Sequence, residues 1–434
     1  MSNIKAIIHN RDLWIIGASE SVSNIGNWIT MMAVFAMIVF KGDGGVLQSS
    51  GVFLAGLLPT LLFSPVAGWL SDRFDRKKLM IASELFSGVV ILGLIFTTRL
   101  ELIYALLALQ AISVSVMTPT RQAVIPDIAG REALTSANAF LQQLASVIKI
   151  AAPTLAGLVL AVMTPQQAII LDVISFGLSA FILMRLPTLR PRRDVAREAA
   201  PGRADAEQPG IQSLRGVIKD SAQLRLLFVC MFLGIVVIIG FDILSPVYIR
   251  DVLGGDEAWM GFLIGLVGLG TLGATIMLMS RRREQNPWID VLSGLLLLAS
   301  LPALLALAAR LGDAKLARQL VVVGGLLGGV GNGLLVVQIS TLLQILSPAA
   351  LLGRIGGVFQ STVVAGQLVG ILLTPLLVPK VVSIQAYLGI SATGLVLLVA
   401  YIGMLTRKTA AREQGRAIEA IPKLANERLS RGAR

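Results

Sequence analysis

The segment Gly68-Trp69-Leu70-Ser71-Asp72-Arg73-Phe74-Asp75-Arg76-Lys77-Lys78-Leu79 is a short charged loop between two long apolar runs. The run before it, about 48–70, carries no formal charge, and the run after it, about 79–98, carries only Glu84. Each run has about the 20 residues that a helix needs to cross a bilayer. Short loops rich in Lys and Arg lie on the cytoplasmic side of a membrane, so this loop predicts the orientation of both helices.

The composition extends this interpretation to the whole chain of 434 residues, which is 55% hydrophobic and only 14% charged. A soluble core of this length does not need so much apolar surface. The net charge of +12 does not indicate nucleic-acid binding, because the cations lie at the ends of apolar runs with few aromatic residues among them. We distinguish twelve such runs, at about 13–40, 48–70, 79–98, 101–118, 137–163, 167–186, 223–249, 258–280, 288–308, 319–345, 355–378 and 386–406.

The distribution of Lys and Arg between these runs predicts the topology. With the N-terminus inside, roughly four times as many cations lie on the cytoplasmic side as on the other side. The sequence therefore predicts an all-α membrane protein with twelve transmembrane helices in two six-helix bundles and both termini cytoplasmic. The bundles are 1–186 and 223–406, joined by a cytoplasmic linker at 187–222, with a short amphipathic helix near 213–223, and followed by a basic cytoplasmic tail at 407–434.

Several chemistries are excluded by residues that the sequence lacks. Cys230 is the only cysteine and His9 the only histidine, which excludes an internal disulfide and a histidine-based metal site or triad. No phosphate-binding loop of the Gly-x-x-x-x-Gly-Lys-Ser/Thr type is present. We therefore expect no enzyme activity, no metal and no cofactor, and a proton gradient as the energy source.

The charged loop resembles a motif between the second and third helices of the major facilitator superfamily, Gly-x-Leu-x-Asp-Arg-x-x-Arg-Lys-Lys. The resemblance implies that Gly68 packs against the eleventh helix and that Asp72 caps that helix. This cap would hold the cytoplasmic side closed in the outward-facing state. Arg73 and Arg76 are the implied charge partners, while the second Gly of the family motif is Asp75 in this chain.

Other stretches resemble the bacterial macrolide-efflux and enterobactin-exporter branch of drug:proton antiporters. They are Arg11–Trp14, Arg121–Asp127, Arg131–Leu134 with Asn138-Ala139, Tyr248–Gly254 and the glycines between Gly261 and Gly273. Ala152-Pro153-x-x-Ala156-Gly157 is similar to an antiporter motif of the fifth helix. This resemblance implies a monomer in a bacterial cytoplasmic (inner) membrane that exports an amphipathic small molecule, such as a drug or siderophore, in exchange for protons. Uptake or lipid translocation on the same fold, and a receptor or scaffold that transports nothing, stay open as alternatives.

In the superfamily, helices one, four, seven and ten line the substrate cavity. The resemblance then implies a set of polar and aromatic candidates for contact with substrate: Asn24, Asn27, Trp28, Gln110, Phe241, Tyr248, Asn332 and Gln338. The glycine-rich stretch 324–331 of run ten permits two interpretations, bending during gating or close helix packing.

Ionisable side chains inside a membrane are costly and mark functional candidates. Glu84 and Asp172 lie about one or two turns from their helix ends, so we expect them to reach the interface. Glu20, Lys149 and Asp242 lie deeper. Burial favours the neutral form of a carboxyl group, which makes Asp242 the first candidate for proton coupling and Glu20 the second. Lys149 is the candidate counter-ion; a static polar pair that ties helices together is the alternative.

Overall fold

The structure, a computed structural model, describes residues 10–42, 44–187, 214–281, 286–311, 314–348 and 351–405. At some helical positions, chiefly 130–136, it describes the backbone alone. Every regular element in these ranges is a helix, which confirms the predicted all-α class. The predicted tail at 407–434 and most of the linker at 187–222 lie outside the described residues.

Twelve helices are described in these ranges, and we number them in chain order. They are α1 (Arg11–Phe35), α2 (Val46–Arg73), α3 (Arg76–Leu92), α4 (Leu100–Val162), α5 (Pro165–Leu183), α6 (Leu214–Asp220), α7 (Ala222–Asp251), α8 (Glu257–Ser280), α9 (Pro287–Ala308), α10 (Ala314–Leu346), α11 (Leu352–Leu377) and α12 (Ile384–Leu405). A π-helical turn, Ala36–Lys41, extends α1. Eleven of the twelve, all but α6, are long and apolar enough to cross a membrane.

The predicted fourth and fifth apolar runs both fall in α4, where 100–129 qualifies as a span and Ala151–Val162 is a shorter apolar piece. A straight helix of 63 residues would be about 95 Å long, far more than a bilayer. The contacts with α1 show instead that α4 reverses. Asn10 Nδ2 donates to the Ile128 carbonyl at 3.3 Å, and Gln110 reaches Asn27 further along α1. Beyond the reversal, Leu144 lies against Gly17.

The buried apolar residues form three clusters that define how the halves meet. We call α1–α5 the first half and α7–α12 the second half. At the end that contains Arg250, one cluster joins both halves, from Phe35 and Leu160 to Tyr248 and Met260. At the other end, which we call the linker end, each half has its own cluster. The two halves therefore share a core at the Arg250 end and separate toward the linker end.

The halves approach most closely where α4 crosses α8. Gly157 and Gly261 face one another, and a Cβ on either would overlap the backbone of the partner helix. Thr154 lies directly against Gly268 in the same crossing. The proline and small residues noted near Pro153 thus serve close packing between the halves.

The glycine-rich stretch of α10 is also a packing surface. Gly328 lies on Leu301 of α9, and Gly329 lies on the backbone of Val267 in α8. Gly331 approaches the backbone of Leu298 in α9. These contacts agree with the close-packing interpretation, because a side chain at any of the three positions would push the helices apart.

The charged loop departs from the family motif at Asp75 without strain. Asp75 has φ −60° and ψ 116°, an extended conformation that needs no glycine. Its carboxylate accepts a hydrogen bond from the Lys78 backbone N–H at 3.1 Å and so caps the N-terminus of α3. The aspartate therefore begins the third helix, which explains why this position is not glycine here.

Candidate functional site

A central cavity of about 270 Å³ lies between the two halves. Helices α1, α7, α8 and α9 supply most of its lining, with single residues from α2, α4 and α10. The lining is almost entirely apolar and includes four aromatic side chains, Trp28, Phe35, Phe53 and Phe241. Aromatic faces attract organic cations as well as apolar groups, so such a lining suits an amphipathic molecule.

Asp242 of α7 is the only ionisable side chain in this lining. Among the described residues, its carboxylate has no hydrogen-bond or ion-pair partner, although its backbone carbonyl accepts from Ser245 Oγ at 3.2 Å. An unpaired carboxylate in apolar surroundings is stabilised by taking up a proton or by pairing with a cation. The site therefore has two mutually exclusive ways to neutralise one charge.

A second, polar cavity of about 210 Å³ lies within the first half, between α1, α3 and α4. We call it the first-half pocket. Glu20 Oε1 and Arg121 Nη1 form an ion pair across it at 2.5 Å. Asn24 and Asn27 also line it, and the Asn27 amide oxygen accepts a hydrogen bond from Gln110. The predicted polar candidates of α1 therefore face this pocket, while Trp28 and Phe241 face the central cavity.

The expectation that Glu84 and Asp172 reach the membrane interface is wrong. Glu84 is only 4% exposed and Asp172 is fully buried. Asp172 accepts hydrogen bonds from Thr30 Oγ1 at 2.5 Å and from Ser175 Oγ at 3.0 Å. Glu84 lies in the middle of α3, and Asp172 lies about two turns inside α5. Neighbouring helices cover both residues from the side. Distance from a helix end therefore does not measure burial in a packed bundle.

Gly26 makes room for the Asp172 carboxylate, and this contact predicts the effect of a small substitution. A Cβ at position 26 would overlap Asp172 Oδ1 and Ser175 Oγ. We expect Gly26→Ala to destabilise the protein by about 1–3 kcal/mol, as overpacking does in other cores. The measurement is the thermal unfolding midpoint in detergent. Gly177→Ala is the matched control, since a Cβ there meets no atom within 4 Å. Equal midpoints for both variants would contradict the prediction.

Three further candidates occupy different places. Asn332 lines the central cavity and donates to Thr271 Oγ1 at 3.4 Å. Tyr248 is fully buried outside that lining, and its hydroxyl donates to the Leu305 carbonyl at 2.6 Å. Gln338 donates to Asp290 Oδ2 at 2.8 Å, also outside the lining. The side chain of Lys149 lies outside the described residues.

Arg250, in the last turn of α7, joins the two halves. The sequence analysis assigned no role to this residue. Arg250 Nη1 donates to the carbonyls of Val39 at 2.5 Å and Gly44 at 3.0 Å. Asp251 accepts from Arg250 Nε at 2.6 Å and so orients the guanidinium. We call these contacts the Arg250 latch. Its partners are backbone carbonyls some 200 positions away, which carry no sequence signal.

At the linker end, the contacts that the structure describes for the charged loop all lie within its own half. Arg76 Nη1 donates to Asp127 Oδ2 at 2.6 Å and to the Ala123 carbonyl at 2.9 Å. Arg73 stacks over Trp69, 5.2 Å from the ring centroid. Asp72 is exposed and has no ion-pair partner among the described residues, and a Cβ on Gly68 would meet nothing within 4 Å. In this conformation the loop is therefore not docked on the second half.

Comparisons with known proteins place these features in context. The sequence profile of the Major Facilitator Superfamily matches residues 17–311. The MFS-type transporter YfiS of Bacillus subtilis is 25% identical over 370 residues, which cover 83% of this chain and 85% of that protein. Macrolide efflux protein A of Streptococcus pyogenes is 28% identical over 279 residues, covering 60% and 66%. The crystal structure of a bacterial homologue of the iron transporter ferroportin has the same fold, with a TM-score of 0.64, 17% identity and coverage of 90% and 98%.

Proposed function

This chain belongs to the Major Facilitator Superfamily, and we propose that it exports an amphipathic small molecule in exchange for protons. One observation carries the proposal: an apolar, aromatic cavity between the halves contains one carboxylate, Asp242, which has no partner among the side chains that the structure describes. A proton and a positively charged substrate compete for that carboxylate. Because binding of the proton displaces the substrate and binding of the substrate displaces the proton, this competition couples proton flux to substrate flux.

In this proposal the linker end is cytoplasmic, since the cations of the loops concentrate there. The two parts of α4 on either side of its reversal are the fourth and fifth of twelve spans. Both termini are then inside the cell, and the protein lies in a bacterial cytoplasmic membrane. The halves separate toward the linker end, so the described conformation is open to the cytoplasm and closed on the outside.

The lining favours one kind of amphipathic substrate. A carboxylate among aromatic rings attracts a basic amine or another organic cation and repels the acidic groups of many siderophores. A drug-like organic cation therefore fits the cavity better than a siderophore does. The similarity to a protein named for macrolide efflux supports the outward direction of transport.

The test is an assay in inside-out membrane vesicles with an acidic lumen. We expect addition of tetraphenylphosphonium or erythromycin to release protons from the lumen. In inside-out vesicles an exporter carries the drug into the lumen and protons out of it. Vesicles without the protein give the baseline. Uptake or lipid translocation predicts no such release on addition of the drug outside, and a receptor or scaffold predicts no flux of any probe. Absence of proton release across a panel of organic cations would overturn the proposal.

A further inference from the structure

Glu84 of α3 is a buried acid that lies outside the central cavity and forms no ion pair in the described part of the chain. It is 4% exposed, and its Oε2 atom has no hydrogen-bond partner among the described residues. Glu84 is one of the residues that line the first-half pocket, so its side chain lies beside a polar space and not against lipid. The carboxyl group does have hydrogen bonds with Ser179 and Ser23, so the unsatisfied atom is Oε2 alone. Such an atom is unusual, because buried polar atoms nearly always have partners.

Every helix packed against Glu84 contributes a polar or charged neighbour. From α1 come Ser23 and Glu20, from α4 comes Arg121, and from α5 come Ser179 and Asp172. Asp172 already accepts two hydrogen bonds from hydroxyl groups. The one cation of the group, Arg121, is bound to Glu20 at 2.5 Å. Among the side chains that the structure describes, Glu84 therefore has two acidic neighbours and no counter-ion of its own.

The geometry assigns Glu84 as a second proton-binding site, located in the first half and separate from Asp242. In this assignment Glu84 is a neutral acid in the described conformation, beside the first-half pocket. When the proton leaves to water in that pocket, Glu84 becomes a carboxylate and competes with Glu20 for Arg121. Only the O–H bond of Glu84 breaks in this step, and water takes the proton. Arg121 is then shared by two carboxylates, so the group of side chains gains one negative charge.

In this assignment the Glu20–Arg121 ion pair is a switch that responds to the protonation of Glu84, and not only a fixed contact between helices. Glu20 is on α1, Glu84 is on α3 and Arg121 is on α4, so a move of the guanidinium changes which helix α4 is bound to. No residue lines both cavities, so a substrate in the central cavity does not touch Glu84 directly. The role in transport rests on the proposed proton exchange, but proton binding itself does not.

The first experiment detects the proton without transport. Infrared spectra of the purified protein in lipid are recorded across a pH series, and carboxylic-acid C=O bands that change with pH are counted. We expect Glu84→Gln to remove one of these bands and Glu84→Asp to shift it. Glu101→Gln is the control, because Glu101 is exposed on α4 and should leave the bands unchanged. Retention of every titrating band in Glu84→Gln would overturn the assignment.

The second experiment separates this inference from the proposed function. In liposomes, Glu84→Gln is expected to exchange tetraphenylphosphonium down its own gradient as the unmodified protein does, while proton-driven accumulation falls to the level of empty liposomes. Full proton-driven accumulation in Glu84→Gln would overturn the coupling role. If the unmodified protein moves none of the probes, the proposed function fails, and the infrared bands still decide whether Glu84 binds a proton.

Discussion

Asp242→Asn is expected to abolish proton release on addition of organic cations and to weaken their binding by at least about 100-fold. Removing one member of a buried charge pair costs about 3–5 kcal/mol, and each 1.4 kcal/mol is tenfold in affinity. Asparagine keeps the size of the side chain but binds neither a proton nor a cation. Both occupants of the site are therefore lost in one substitution.

The measurement combines the vesicle assay with a binding titration. Trp28 lines the same cavity, so quenching of its fluorescence reports binding of the cation. Asp256→Asn is the matched control, because Asp256 is exposed and caps α8, where asparagine caps equally well. Neutral molecules of similar shape should bind both proteins alike. Unaltered proton-coupled flux in Asp242→Asn would contradict the assigned role of this carboxylate.

Glu20→Gln gives a different expectation, because Glu20 is held by Arg121 and lies outside the central cavity. Loss of this partner frees Arg121 for Glu84, so proton coupling should fall while cation binding in the central cavity persists. If Glu20→Gln weakened binding as much as Asp242→Asn does, the separation of the two cavities would be wrong.

Arg250→Ala is expected to favour the conformation that opens at the Arg250 end. The latch consists of two hydrogen bonds from a charged donor, each worth about 1.5–3 kcal/mol. Losing them shifts the balance between the two conformations by about 10-fold or more, since 1.4 kcal/mol is tenfold. Lysine at this position keeps the charge but lacks the guanidinium fork, so Arg250→Lys should give an intermediate shift.

The measurement is the distribution of distances between spin labels on Thr98 and Lys380, exposed residues of opposite halves near the Arg250 end. The single native cysteine, Cys230, is replaced first. We expect a longer distance to gain population in Arg250→Ala. Arg310→Ala is the control, because it removes an exposed cation at the same end. Identical distributions for the two variants would show that the latch does not hold this end closed.

The sequence predicts the fold well because each membrane helix corresponds to a continuous apolar run, which is easy to recognise. Eleven of the twelve predicted runs correspond to a described span, and the remaining one lies in the second part of α4. Asp242 is also predictable, since a lone carboxylate in the middle of a long apolar run has few structural explanations. Trp28 and Phe241, which the resemblance to the superfamily implied as cavity residues, line the central cavity.

The remaining site residues depend on contacts between distant helices. Glu84 and Asp172 seemed close to the interface by counting turns, but α1 and α5 cover Glu84 and α1 covers Asp172. Tyr248 and Gln338 lie on helices adjacent to the cavity, yet each turns to a partner elsewhere, the Leu305 carbonyl and Asp290. Position along a helix does not specify which face meets a neighbour when nearly every face is apolar.

The glycine contact between α4 and α8 has a mechanical consequence. With no side chain between Gly157 and Gly261, the two helices can swivel about this contact, and the side chain in the crossing that must adjust is Thr154 against Gly268. Ala137 is 20 residues from this point, about 30 Å along the helix. A swivel of about 15° would move that distant end by about 8 Å, enough to uncover an entrance for a drug-sized molecule. A modest rotation at this one helix crossing thus opens the bundle at the distant end of the helix.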